Sequence, residues 1–221
     1  MKYKGRVLIV FIFIFIVVTW HSFYFLVDFE SSYVFLIEAG HYKWDFLFIP
    51  LLSPFFWWLG YQYDKAKFLS EKDALTGLYN RRYVAQVTPK LLEQTMKTNK
   101  KMSISIIDCN NFKKINDTYG HKTGDTILVN IARILQESTS KKDVVARWGG
   151  DEFIIVSSHL KEKNRLSHIE ASLKKLSIQV GFDVSVSIGT AIYPDQANNI
   201  DQLLKISDRT MYNQKLGKII N

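Results

Sequence analysis

Apolar and polar positions divide the chain into parts with different periods. Residues 7–27 (VLIVFIFIFIVVTWHSFYFLV) form an almost unbroken apolar run. At about 1.5 Å per residue, a helix of that length covers the roughly 30 Å hydrocarbon core of a bilayer. The run predicts an uncleaved spanning helix over about 7–27, since it is longer than a secretory signal core and no small-residue cleavage site follows. A second run, residues 46–61, is shorter and is interrupted by Pro50 and Pro54, with Trp44, Trp57 and Trp58 near its ends. Interfacial tryptophans, and the tolerance of spanning helices for proline, predict a second span over about 45–62. A buried or re-entrant segment is the other reading. From Trp58 onward, Trp58, Tyr61, Lys65, Phe68, Lys72 and Leu75 recur at alternating steps of three and four. This short, partly charged seam over a linker at 64–72 reads equally as a juxtamembrane helix and as a dimerising one.

From residue 73 the pattern becomes that of a soluble domain. A turn opens a helix to about Thr98. Residues 103–107 (SISII) read as a buried strand that delivers Asp108 at its end. A helix over 126–137 places Ile127, Leu128, Ile131, Ile134 and Leu135 on one face. Two β-prone runs, 143–147 and 153–156, flank Gly149-Gly150, the signal for a tight hairpin built on glycines at positive φ. A helix across 161–176, a strand at 184–191 and a helix from 201 to about 216 complete the chain. The β-α-β-β-α-β order predicts an α+β fold with helices packed on a mainly antiparallel central sheet.

Charge sharpens this division. The net charge is +8, of which residues 71–221 carry +7 and residues 1–70 only +1. A basic soluble part calls for an anionic partner: nucleotide, nucleic acid or membrane surface. Basic flanks at Lys2, Lys4, Arg6 and at Lys65, Lys67 enclose a mostly acidic stretch (Asp28, Glu30, Glu38 and Asp45 against Lys43). By the positive-inside rule both ends of a two-span anchor (residues 1–63) face the cytoplasm, in a multi-pass protein of the cell membrane. The single cysteine, Cys109, excludes an intrachain disulfide.

The chemistry lies in where the acids fall. Asp108 ends one strand, and Asp151 and Glu152 follow the Gly-Gly pair. If those strands are neighbours, carboxylates distant in sequence converge. Hard divalent cations take one or two carboxylates and fill their remaining positions with phosphate, the usual device for nucleotidyl transfer. Lys113 and the amides after Asp108 are placed to hold phosphates. Asn116 and Asp125 offer the donor and acceptor pattern that reads a guanine edge.

Taken together, DALTGLYNRR (73–82), DCNNFKKINDTYGHKTGD (108–125), RWGGDEF (147–153), SIGTA (187–191) and SDRTMYNQK (207–215) resemble the GGDEF family, the diguanylate cyclases. The resemblance runs from Asp73 to about Lys215 and implies a palm-like domain over 73–221, similar to that of nucleotide cyclases. It implies one GTP per domain, two domains head to head in a homodimer, and condensation of two GTP into cyclic di-GMP and pyrophosphate with Mg²⁺ or Mn²⁺. Carried over by position, Asp108, Asp151 and the Cys109 carbonyl ligate metal, and Asp151, assisted by Glu152, activates the hydroxyl. Asn111, Phe112, Lys113 and Lys215 hold phosphates, Lys113 also serving catalysis, and Asn116 and Asp125 hold guanine. His121 reads as a packed turn residue.

Three positions depart from the family pattern. Asn110 stands where a second Asp is usual, a position that is not a metal ligand. Ser140-Lys141-Lys142-Asp143 replaces the Arg-x-x-Asp of the product-inhibition site, so no such site is expected. The closing segment is one residue shorter, leaving Lys218 in place of a phosphate-contacting Arg. Two rival functions remain at this stage. One is an inactive GGDEF receptor for GTP or cyclic di-GMP, against which the intact acids argue. The other is a nucleic-acid-binding module, for which no motif is present.

Overall fold

The computed structural model describes residues 4–158 and 162–220, with the side chains of Asp45, 162–164 and 218–220 excepted. The chain forms two compact units, Met1–Ser70 and Glu71–Asn221.

In the first unit, helix α1 (Lys4–Val27) meets a bend at Asp28, whose carboxylate caps α2 (Phe29–Tyr33) by accepting from the Ser31 amide. A π-helical turn (Val34–Glu38) follows, then α3 (Tyr42–Glu71). Helices α1 and α3 lie antiparallel. Phe13 stacks on Phe56 at 4.1 Å, and the amides of Gly5 and Arg6 donate to Asp64 at 2.9 and 3.3 Å. Glycines permit this approach, because a Cβ on Gly60 would overlap the Arg6 backbone and one on Gly5 would overlap the Asp64 carboxylate. The first amides of a helix have no partner within it, so Asp64 closes that end of α1.

Of the two spans anticipated, only α1 is long and apolar enough to cross a bilayer, among the described residues. The second apolar run is instead the N-terminal part of a 30-residue helix that continues through Pro50 and Pro54 into Gln62, Asp64 and Lys65. Its apolar stretch is too short, and its continuation too polar, to meet that criterion.

The second unit is a five-stranded sheet in the order β1-β3-β4-β2-β5, with helices on both faces. The strands are β1 (Tyr79–Asn80), β2 (Met102–Cys109), β3 (Val144–Gly149), β4 (Glu152–Ser157) and β5 (Val186–Tyr193). The helices are α4 (Arg81–Lys97), α5 (Phe112–Tyr119), α6 (His121–Glu137), α7 (Glu162–Val180) and α8 (Ile200–Ile220). The sheet is mixed rather than mainly antiparallel. The opening turn leaves a two-residue strand, too short to show any alternation, that pairs parallel with Ala146 and Arg147 at the edge.

Alternation along β2 sorts the two core layers. Ile107, Cys109, Phe153, Ile155 and Val186 pack beneath Ile127, Leu128 and Ile131 of α6 and Ile169 and Leu173 of α7. Ile104, Ile106, Ile154, Val156 and Ala191 pack beneath Val84 and Leu92 of α4 and Leu203 and Met211 of α8. Even-numbered positions of β2, Asp108 among them, therefore belong to the α8 face. Helix α8 lies directly on β5 because Gly189 has no side chain; a Cβ there would overlap the Ser207 carbonyl and the Met211 amide of α8. Ser207 ties the helix down further by donating to the Ile104 carbonyl at 2.8 Å.

Candidate active site

The site is built at the end of β2. Antiparallel pairing puts Asp108 opposite Glu152 of β4 on one side and Ser187 of β5 on the other. Directly opposed residues share a face, so Asp108 and Glu152 both lie on the α8 face. Asp151 occupies the turn, tied by its carbonyl to the Cys109 amide at 3.2 Å. Asp108 is only 7% exposed, and Lys215, four residues beyond buried Met211 on α8, reaches it with Nζ 2.6 Å from Oδ1. The structure thus brings Asp108, Asp151, Glu152, Cys109 and Lys215 to one point.

The hairpin differs from its sequence reading. Gly149 closes β3 opposite Glu152, with a bulge between Arg147 and Gly149, and neither Gly149 nor Gly150 is at positive φ. What the glycines supply is bare backbone: a Cβ on Gly150 would meet nothing within 4 Å. The turn is held instead by Arg147, whose guanidinium donates to the Gly150 carbonyl at 2.7 and 3.0 Å and to Asp73 at 3.3 Å.

Electrostatics at the strand ends are dominated by burial and like charge. Burial, then Asp108, pushes the Asp151 carboxyl above the usual carboxylate range. Burial, followed by Asp108, Asp151 and Asp208, does the same to Glu152. Burial acts to lower Lys215, but its hydrogen bond to Asp108 and the charges of Asp108 and Asp151 win, so its ammonium is held more firmly than usual. The Cys109 thiol is pushed up to about 12 by burial and the adjacent Asp151 and Asp108. It is therefore no nucleophile.

The second half of the site lies between α5 and α6. Asn111 takes the left-handed conformation (φ 55) that turns the chain from β2 into α5, and its side chain makes no cap hydrogen bond. Phe112 packs against the core, while Lys113 at the start of α5 is exposed. Asn116 Oδ1 is buried without a hydrogen-bond partner. It lies against Gly124, where a Cβ would overlap it and would come 3.2 Å from Phe112. Asp125 follows on α6, exposed. A buried acceptor with no donor, beside a missing side chain, is what a flat hydrogen-bonding ligand requires.

Among the described residues, no group of three or more His, Cys, Asp or Glu side chains is spaced to hold an ion unaided. The donor set is nonetheless of the kind a hard divalent cation uses, two carboxylates and a carbonyl, the rest being phosphate and water. Lys215 only partly offsets the burial and mutual repulsion that oppose ionisation of Asp151 and Glu152. The residues fit such an ion.

Asn110 is buried and spent on β5, donating to Ser185 at 3.1 Å and accepting from Ser187 at 2.8 Å. His121 is exposed at the first position of α6 rather than packed in a turn. The side chain of Lys218 lies outside the described residues. Sequence reading missed Arg147, Asp73, Gly189 and Asp208. Asp208 and Lys215 stand seven apart on one helix, the only signal for the former.

A family model described as "Diguanylate cyclase, GGDEF domain" matches residues 70–218, and the chain belongs to that family. It is 34% identical over 147 residues to diguanylate cyclase DosC of Escherichia coli, covering 63% of this chain and 32% of that protein. To diguanylate cyclase DgcM of the same organism it is 36% identical over 155 residues, 69% and 38% of the two chains. The chain thus spans about a third of the length of these curated relatives. The structure of an N-terminally truncated Pseudomonas aeruginosa YfiN comprising only the GGDEF domain superposes with a TM-score of 0.61 at 34% identity, covering 66% of this chain and 89% of that one.

Proposed function

We propose that the chain is a diguanylate cyclase, condensing two GTP into cyclic di-GMP and pyrophosphate as a homodimer. The observation that carries this is the meeting of Asp108, Asp151 and Glu152 with Lys215 at one strand end. The buried, unpartnered Asn116 acceptor on α5 supplies the base-reading half. Asn116 and Asp125 hold the guanine edge. The amides at the start of α5, after Asn111, hold the phosphates with Phe112 and Lys113, and Lys215 transfers its ammonium from Asp108 to that same charge. A Mg²⁺ or Mn²⁺ held by Asp108, Asp151 and the Cys109 carbonyl would neutralise the phosphate charge and polarise the α-phosphate. Asp151, its proton affinity raised by burial, takes the proton of the 3′-hydroxyl, with Glu152 beside it. Each hydroxyl attacks the α-phosphate of the nucleotide on the other domain, which is why two copies are needed. Positioning supplies most of the acceleration.

The domain, residues 73–221, is carried by a membrane anchor of residues 1–63 through a linker at 64–72. Helix α1 spans the membrane, and the N-terminal part of α3, which lacks the length and hydropathy of a span by itself, returns through it packed antiparallel on α1. Supporting this, the Gly5–Arg6 end of α1 lies beside Asp64 of α3, so both basic flanks stand at one end, the cytoplasmic one.

Incubation of the purified chain with GTP and Mg²⁺, followed by nucleotide chromatography, tests the activity. Cyclic di-GMP is expected, and Asp151→Ala abolishes it with the fold intact. Nucleotide binding without turnover would point to the receptor alternative. Reporter fusions after residue 40 and residue 221 test the topology, the first facing outward and the second inward.

A further inference from the structure

The first unit contains a cavity of about 700 Å³, within the range of small-molecule sites. It opens on the inner side of the bend at Asp28. Trp20, His21 and Tyr24 of α1, Phe35 of the π-helical turn, buried Ser32 and Asp28 line it. Trp20 and Tyr24 meet edge to face at 5.2 Å. The lining holds three aromatic side chains, the Asp28 carboxylate and the His21 imidazole, whose Nδ1 is engaged by the Val17 carbonyl at 2.9 Å, and neither Lys nor Arg.

That chemistry selects the occupant. Aromatic faces attract cations through their quadrupoles, and grouped rings are the usual receptor for alkylated ammonium. A carboxylate near the membrane boundary is costly beside lipid tails, which disfavours an acyl chain. A second copy would bring a second Asp28 to a lining that has no Lys or Arg to pair with it. We propose that this cavity binds a small organic cation with a ring-bearing or alkylated body, its charge at Asp28 and its body among Trp20, Tyr24 and Phe35. The site stands apart from the cyclase reading, because it is measured as binding.

The test uses the full chain in nanodiscs of zwitterionic lipid and radiolabelled tetraphenylphosphonium. One saturable site per chain is expected. Asp28→Asn, which keeps the helix cap because Asn caps as well as Asp, should weaken binding about tenfold or more. Tyr24→Ala should weaken it as well, while Asp28→Glu holds it near the parent value. Tetraphenylborate, of the same shape and opposite charge, should not compete. The proposal is overturned if binding does not saturate, if Asp28→Asn binds like the parent, or if tetraphenylborate competes. A change in oligomeric size in Asp28→Asn would also overturn it, by showing the face to be a contact between chains.

Discussion

Gly189→Ala tests how α8 sets the active site. An added methyl in β5 would overlap the Ser207 carbonyl and the Met211 amide and lie 2.8 Å from Met211 Cα. All three are helix backbone, so no side-chain rotation relieves the overlap, and α8 must lift by about 1 Å. Overpacking of this kind costs about 1–3 kcal/mol. At about 2–4 °C per kcal/mol for a domain of this size, Tm falls by roughly 2–12 °C. Lys215 lies one turn beyond Met211, so the 2.6 Å contact to Asp108 opens toward the ~3.5 Å limit of a hydrogen bond. A misplacement of about 1 Å at reacting groups costs on the order of 100-fold in rate. Steady-state cyclic di-GMP formation and thermal unfolding are measured on Gly189→Ala, Lys215→Ala and the double variant. Lys215→Ala should share the kinetic loss without the fall in Tm, and the double variant should turn over no more slowly than Lys215→Ala. Turnover in Gly189→Ala within about twofold of the parent, or losses that multiply in the double variant, would refute the reasoning.

Further outcomes follow from the same geometry. Asp151→Asn should raise Tm at pH 7 while abolishing turnover. Burial and Asp108 raise the folded pKa of Asp151 above 3.8, so its ionisation destabilises the fold as pH rises through that value. The gain in Tm therefore shrinks as pH falls toward 3.8, which unfolding curves across pH will show. Asn116→Ala removes a buried acceptor that lacks a donor, worth about 1–3 kcal/mol. It should leave the nucleotide-free domain no less stable while raising KM for GTP about tenfold or more. Arg147→Ala and Asp73→Asn should each slow turnover by loosening the hairpin, and a double-mutant cycle should give a coupling of about 0.5 kcal/mol or more. Cyclic di-GMP in large excess should not inhibit. Ser140 replaces the gripping Arg, and Asp143 is already engaged by Ser157 at 2.7 Å and Arg165 at 3.6 Å; inhibition in a progress curve would contradict this.

Elements with a strong period were legible in the sequence. Every residue of the predicted α6 stripe is buried, and the SISII run forms part of an interior strand, β2, buried throughout. Helix α5 was not, because within residues 112–119 only Phe112, Ile115 and Tyr119 are apolar and the remainder looks like a loop. The two residues of β1 carry no alternation, so the parallel edge was invisible. At the site, the acids were readable as strand-end residues and the structure brings them together. Arg147 and Asp73 were not readable as a pair, being 74 residues apart and joined only when β1 docks beside β3. Gly149 and Gly150 were legible as hairpin residues, but for a conformation they do not adopt.

The carboxylate of Asp64 that closes the first turn of α1 also constrains how α1 and α3 can move. Shifting one helix along the other by a single residue, about 1.5 Å, would strip both amide contacts at once. Swivelling about the close crossing at Gly60 keeps them. Sliding of α3 along α1 therefore costs both of these contacts, whereas rotation in place does not.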